Sequence, residues 1–182
     1  MTRKNGPWTI ENTVQQYQDA FITVTEDQVI RPDGKPGTYG TVSMKPGVAV
    51  LPVEADGNVY LVKQFRYVLG QESLEVVTGA MESNEPDLEA AQRELEEEVG
   101  ILAQDWHSLG KFDIDTSIVH CPVHLFLAKQ LSFTEAHREG TETMETCKVP
   151  LEQAVKMVME STITHAPSCV LILKAWYSYQ LL

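Results

Sequence analysis

Four glutamates, Glu94, Glu96, Glu97 and Glu98, fall within five residues, in a segment whose apolar residues recur at helical spacing. At about 100° per residue, Leu88, Ala91, Leu95 and Val99 form one stripe, and Glu94, Glu97 and Glu98 share a neighbouring sector roughly 100° wide. Like charges at this spacing disfavour a helix by roughly 0.2–0.5 kcal/mol per pair, so a compensating charge is expected. A hard divalent cation would supply it: magnesium takes oxygen ligands from a few carboxylates and keeps its other positions for water and substrate phosphates. By itself the run also fits a solvated acidic face. The residues around it decide between the two.

The helix that would carry these carboxylates is expected from about Pro86 to Val99. Ser83 or Asn84 can cap it, Asp87 and Glu89 lie near the positive end of its dipole, and Gly100 supplies a left-handed terminus. Ahead of it, GVAVLPV (Gly47 to Val53) and VYLVKQF (Val59 to Phe65) flank EADGN, where Asp56-Gly57 signals a hairpin, and a short strand from Leu74 to Val77 leads to Gly79. At the N-terminus, AFITVTEDQVI alternates β-branched residues and runs into the turn RPDGKPG, predicting another hairpin. Beyond the helix, segments around Trp106 to Phe112, Val123 to Ala128 and Thr143 to Val149 read as strands. Leu151 to Ser161 and Ser168 to Leu182 read as helices, with Pro167 placed to start the last one. This order predicts an α/β fold with a sheet covered on both faces.

A chain of 182 residues, 43% hydrophobic, can bury one good core and is expected to form one main domain with an appendage. Its net charge of −12 repels a phosphate backbone and argues against nucleic acid as a partner. A small phosphorylated substrate would therefore need a metal or a few local cations. With no long apolar run at the N-terminus or elsewhere, a soluble, cytoplasmic protein with no membrane partner is expected. Cys121, Cys147 and Cys169 are odd in number and widely spaced, unlike a disulfide framework or a zinc site.

From Gly79 the chain reads GAMESNEPDLEAAQRELEEEVGI, which resembles the Nudix box. Gly79, Glu85, Arg93, Glu94, Leu95, Glu97, Glu98, Gly100 and Ile101 fill every required slot. At ordinary residue frequencies such a match arises by chance on the order of once in a million chains of this length. The resemblance implies an α/β/α Nudix sandwich with a mixed sheet over 45–182, preceded by a small β appendage over 1–44 that serves dimerisation and substrate contacts. It also implies Mg2+, with Mn2+ able to substitute, held by Glu94, Glu97, Glu98 and the carbonyl of Thr78. Glu85 and Arg93 take structural roles in the loop and helix, and side chains at Gly79 and Gly100 would crowd the backbone.

Outside the box, RPDGKPGTYGTV, LVKQFRYVLGQESLEVVTGAM and VPLEQAVKMV resemble the branch of ADP-ribose pyrophosphatases and nucleoside diphosphate sugar hydrolases. That resemblance implies a homodimeric hydrolase yielding a nucleoside monophosphate and a sugar phosphate. It points to Gln64, Arg66 and Glu75 as substrate contacts; Arg66 suits phosphate because its planar fork matches phosphate oxygens. Alignment of Val149-Pro150-Leu151 with the ending common in the branch puts Glu142 at the position of the general base, with Glu139 as the alternative, beside the catalytic metal ligand Glu98. Trp8, Tyr17 and Phe21 can stack on the base or pack into a core; packing is the expectation for Tyr17 and Phe21. The chain departs from the branch where KFDIDTSIVHCPVHLFLA lacks Ser-Pro-Gly and the acid that follows it, and where His165 replaces an aspartate. Both departures point to a broader range of nucleoside diphosphate sugars than ADP-ribose alone. The alternatives are a Nudix-fold sensor of nucleotide sugars, or a pyrophosphatase for nucleoside triphosphates, coenzyme A or dinucleoside polyphosphates.

Overall fold

The structure, a computed structural model, describes residues 2–137 and 144–180. In chain order the elements are β1 (Arg3–Asn5), β2 (Trp8–Gln18), β3 (Ile22–Ile30), β4 (Pro36–Met44), β5 (Gly47–Pro52), β6 (Asn58–Arg66), β7 (Gln71–Glu75), β8 (Val77–Ala80), α1 (Asp87–Val99), β9 (Ile101–Asp113), β10 (Val119–His120), β11 (Pro122–Phe133), β12 (Met144–Pro150), α2 (Leu151–Met159) and α3 (Ala166–Gln180). They group into two units, one of residues up to Lys45 with Asp113–Cys121, the other of Pro46–Phe112 with Pro122–Leu182. No helix of the described residues is long and apolar enough to cross a membrane.

The first unit is one sheet in the order β1-β2-β3-β4-β10, antiparallel except for β10, which runs parallel to β4 with Val119 opposite Val42. Aspartates make its corners. Asp19 accepts the amides of Phe21 and Ile22 at 2.7 and 2.8 Å between β2 and β3, and Asp115 accepts those of Ser117 and Ile118 at 2.7 and 2.5 Å ahead of β10. The hairpin expected around RPDGKPG is β3–β4. The strands β1 and β2 precede it without an apolar alternation to announce them, because β2 is exposed along most of its length. Tyr17 and Phe21 are exposed at 52% and 69%, which corrects the expectation that they pack in a core. They flank the β2–β3 corner, where Tyr17 Oη donates to Asp19 Oδ2 at 3.0 Å.

In the second unit, a mixed four-stranded sheet, β8-β5-β11-β9, pairs β5 parallel to β11 and antiparallel to β8. A three-stranded antiparallel sheet has the order β12-β6-β7. Alternate residues of the buried strands point to opposite faces. Val48 and Val50 of β5 and Phe126 and Ala128 of β11 pack with Ala90, Ala91 and Leu95 of α1. Ala49 and Leu51 of β5 and Leu125 and Leu127 of β11 pack with Leu171, Ile172 and Ala175 of α3. The result is the expected α/β/α layering. Gly100 closes α1 with φ 64°, its amide donating to the carbonyls of Glu96 and Leu95. At the other end the residue at the N-cap is Pro86, with no side-chain cap, so neither Ser83 nor Asn84 fills that position. Asn84 instead turns the loop, with φ 66°.

Candidate active site

Strand β8, the loop of residues 81–86 and helix α1 bring the box residues together. Gly79 faces Glu94 so closely that a Cβ on it would lie 1.9 Å from Glu94 Cδ and 2.2 Å from each carboxylate oxygen. The glycine is therefore required by contact, since its φ lies outside the left-handed region. At the far end of α1, a Cβ on Gly100 would meet the Thr134 carbonyl at 2.4 Å. The chain after β11 is strapped there: Thr134 N donates to Gly100 O at 2.8 Å and His137 N to Glu97 O at 3.0 Å.

Arg93 organises the acids. Its Nε and Nη2 donate to Glu85 at 2.8 and 3.0 Å, and its Nη1 donates to Glu94 Oε1 at 2.8 Å and Glu97 Oε2 at 3.1 Å. Glu85 in turn accepts the Glu82 amide at 2.8 Å, which fixes the loop against the helix. Hydrogen bonding from Arg93 holds the Glu85 carboxyl below the usual range. Burial pushes the Glu94 carboxyl up, Arg93 opposing and the charges of Glu97 and Glu85 adding to the rise. Glu98 is half-buried with Oε2 shielded from solvent, and Thr78 lies in β8 opposite Ala49.

The candidate donors, three carboxylates and a carbonyl, are all oxygen, the donor type that a hard cation takes. Among the described residues, no three His, Cys, Asp or Glu side chains converge as a metal-binding group. Glu94 and Glu97 meet instead at the Arg93 guanidinium, whose one positive charge offsets part of theirs.

A second cluster lies on β6 and β7. Arg66 grips Glu75 with two bonds, Nε to Oε1 at 2.9 Å and Nη2 to Oε2 at 2.5 Å. Glu75 is 1% exposed and Arg66 38%. Burial pushes the Glu75 carboxyl up, but Arg66, His165 and Ser73 together outweigh it and hold the group below its ordinary value. Gln64 lies opposite Ser73 on the same face, and both are buried. Its Nε2 is shielded from solvent and has no hydrogen-bond partner among the described residues, so a buried donor there is left without an acceptor.

Sequence reasoning missed how Glu75 is held. His165 and Ser168, at the start of α3, reach the β7–β8 junction: Val76 N donates to Ser168 Oγ at 2.9 Å, and His165 Nδ1 lies 3.3 Å from Glu75 Oε2. The departure at His165 was the available signal. In the first unit, Trp8 meets Tyr39 edge-on, with centroids 5.5 Å apart, in a cleft of about 280 Å³ lined also by Asn5, Asp27, Thr41 and Ser117. Glu139 and Glu142 lie outside the described residues.

With this geometry in hand, similarity to known proteins is informative. Residues 44–167 match the NUDIX domain, and residues 8–42 match the nucleoside diphosphate sugar hydrolase N-terminal domain. The chain is 33% identical to an ADP-ribose pyrophosphatase of Bacillus subtilis, over 87% of this chain and 86% of the relative. It is 29% identical to an ADP-ribose pyrophosphatase of Mycobacterium tuberculosis, over 82% and 74%. A crystal structure of an ADP compounds hydrolase superposes with a TM-score of 0.81 over 98% of both chains at 22% identity, a likeness of fold.

Proposed function

The chain belongs to the Nudix family, and from that premise we propose that it hydrolyses the diphosphate of nucleoside diphosphate sugars, including ADP-ribose, to a nucleoside monophosphate and a sugar phosphate. The observation that carries the reading is the packing of Glu94 against Gly79, locked by the Glu85–Arg93 tie, in a chain whose residues 8–42 match the sugar hydrolase N-terminal domain.

In this reading Glu94, Glu97, Glu98 and the Thr78 carbonyl hold Mg2+, with Mn2+ able to substitute. When bound, such cations neutralise the diphosphate and acidify water. Arg66 orients a phosphate from its anchor on Glu75, and the unsatisfied Nε2 of Gln64 donates to a substrate oxygen. Trp8 stacks on the base. Glu142 accepts the proton of the attacking water, whose oxygen joins phosphorus as the bridging P–O bond breaks; Glu139 is the alternative base. The β segment over 1–44 mediates homodimerisation and contributes substrate contacts.

The test is turnover of ADP-ribose, GDP-mannose, UDP-glucose, a nucleoside triphosphate and coenzyme A, with Mg2+ and with chelator. Release of a nucleoside monophosphate from the sugar nucleotides, abolished by chelator, is expected. Cleavage of the triphosphate or coenzyme A alone would overturn the substrate class, and binding of a nucleotide sugar without turnover would mean a sensor. An unchanged rate for Glu142→Gln at saturating substrate would exclude it as the base.

A further inference from the structure

His165 occupies a position where its residue type is poorly suited to its local role. Its carbonyl accepts the Cys169 amide at 3.0 Å, the first turn of α3, which makes it the N-cap. Ser, Thr, Asp and Asn are the preferred N-caps. A residue that breaks a local preference points to a second demand on the site.

The second demand is visible in what the ring touches. Nδ1 lies 2.9 Å from Ser168 Oγ and 3.3 Å from Glu75 Oε2, so the tautomer protonated at Nδ1 turns its N–H toward the carboxylate. Ser168 Oγ also accepts the Val76 amide. The start of α3 thus fixes the residue that anchors Arg66 and the backbone beside it, three residues before Gly79. Glu75 Oε2 is the oxygen that also takes Arg66 Nη2. Burial lowers the proton affinity of the imidazole, with the charge of Glu75 opposing and that of Arg66 reinforcing.

We propose that His165 is a positioning residue for the substrate-binding arginine: a polar group at the N-cap of α3 that fixes Glu75, and through it Arg66, without adding a second carboxylate to compete for the guanidinium. The proposal rests on the reading of Arg66 as a phosphate contact. An aspartate at 165 would cap the helix well and set a second negative charge beside Glu75, drawing Arg66 away from the substrate. An asparagine would cap equally well while remaining neutral.

The experiment measures KM and kcat for ADP-ribose, with thermal melting, for His165→Ala, His165→Asn and His165→Asp, and repeats His165→Ala in an Arg66→Lys background. His165→Ala is expected to raise KM about three- to tenfold, the loss of one hydrogen bond, with kcat within twofold. His165→Asn should restore KM, and His165→Asp should raise it beyond Ala while melting no lower than Ala. With Lys at 66 the effect of His165→Ala should shrink to within about twofold, since contacting groups are not additive. A KM that follows melting temperature across the series, or an undiminished effect in the Lys background, would reduce His165 to a helix cap and overturn the proposal. An unchanged KM for Arg66→Lys itself would remove the phosphate-contact reading and this inference with it, whereas a raised KM for Arg66→Lys beside a normal one for His165→Ala would overturn the inference alone.

Discussion

Replacing Gly79 by alanine should separate catalysis from stability. The added Cβ would fall within 1.9 Å of Glu94 Cδ and 2.2 Å of both its oxygens, so the carboxylate cannot stay where it is. The backbone need not move, because Gly79 has no positive φ and the obstacle is the end of a flexible side chain. What is lost for stability is mainly the Arg93–Glu94 bond at the edge of solvent, with Glu94 13% exposed. Discounted for screening, that costs about 1 kcal/mol, or about 2–4 °C in Tm for a chain of this size. On the proposed reading of Glu94 as a metal ligand, catalysis loses a charged contact worth about 1.5–3 kcal/mol. At tenfold per 1.36 kcal/mol, kcat/KM should fall by roughly 10- to 150-fold. The assay is release of nucleoside monophosphate from ADP-ribose across a magnesium titration, beside a thermal melt of the same preparation. Leu95→Ala is the contrast: Leu95 is fully buried beneath α1, and its truncation should cost about 2–5 kcal/mol of stability. Wild-type kcat/KM at limiting magnesium for Gly79→Ala would refute the claim that this glycine exists to seat Glu94. A Tm drop beyond about 10 °C would refute the claim that the side chain alone gives way.

Glu98→Gln should remove nearly all magnesium-dependent turnover with a melting curve close to wild type; retention of the wild-type rate would withdraw Glu98 from the metal set. Gln64→Met replaces a buried amide whose donor is unsatisfied with an apolar chain of similar length. Stability should be unchanged or higher, because no bond among the described residues is lost, while KM rises a few fold; a lower Tm with normal KM would assign Gln64 to the scaffold. Asp115, whose carboxyl is held down to about 2 by the amides of Ile118, Val119 and Ser117, bears on pH. A depressed folded pKa stabilises above the unfolded value near 3.9, and the contribution is lost as pH falls through the folded value. Asp115→Asn should therefore melt below wild type at neutral pH, and the gap should close between about pH 4 and pH 2; a gap constant with pH would refute the linkage.

The box could be read from sequence because each of its positions answers a local demand. Gly100 ends a helix in the left-handed region, Glu94 and Glu97 lie within reach of Arg93, and Gly79 leaves room for Glu94. All of these lie on one helix and on the strand and loop before it, so they form the contiguous run that resembles the Nudix box. The contacts around Glu75 are of another kind. Val76 and Ser168 are separated by 92 residues, and no local pattern states that the start of α3 meets the end of β7. Residues 113–121 escaped for a related reason: their short strand joins β4 of the first unit, about 75 residues earlier in the chain. β2 carries its polar residues on both faces, so no period of two was there to be seen.

Charge explains why such a site should need an added cation. The single guanidinium of Arg93 hydrogen-bonds three carboxylates, Glu85, Glu94 and Glu97. Arg66 already holds Glu75 with two bonds. Neither arginine brings excess positive charge to a diphosphate, and the chain as a whole carries −12. A substrate with further negative charges would approach a region that repels it. On the proposed reading, Glu94 and Glu97, which share the Arg93 Nη1, would hold a divalent cation whose charge would offset that of the diphosphate. On this account the metal is required for substrate binding as well as for the chemical step. Chelator should therefore weaken the binding of an uncleavable ADP-ribose analogue, measured by calorimetry, by at least tenfold; equal affinity with and without magnesium would show that the arginines suffice.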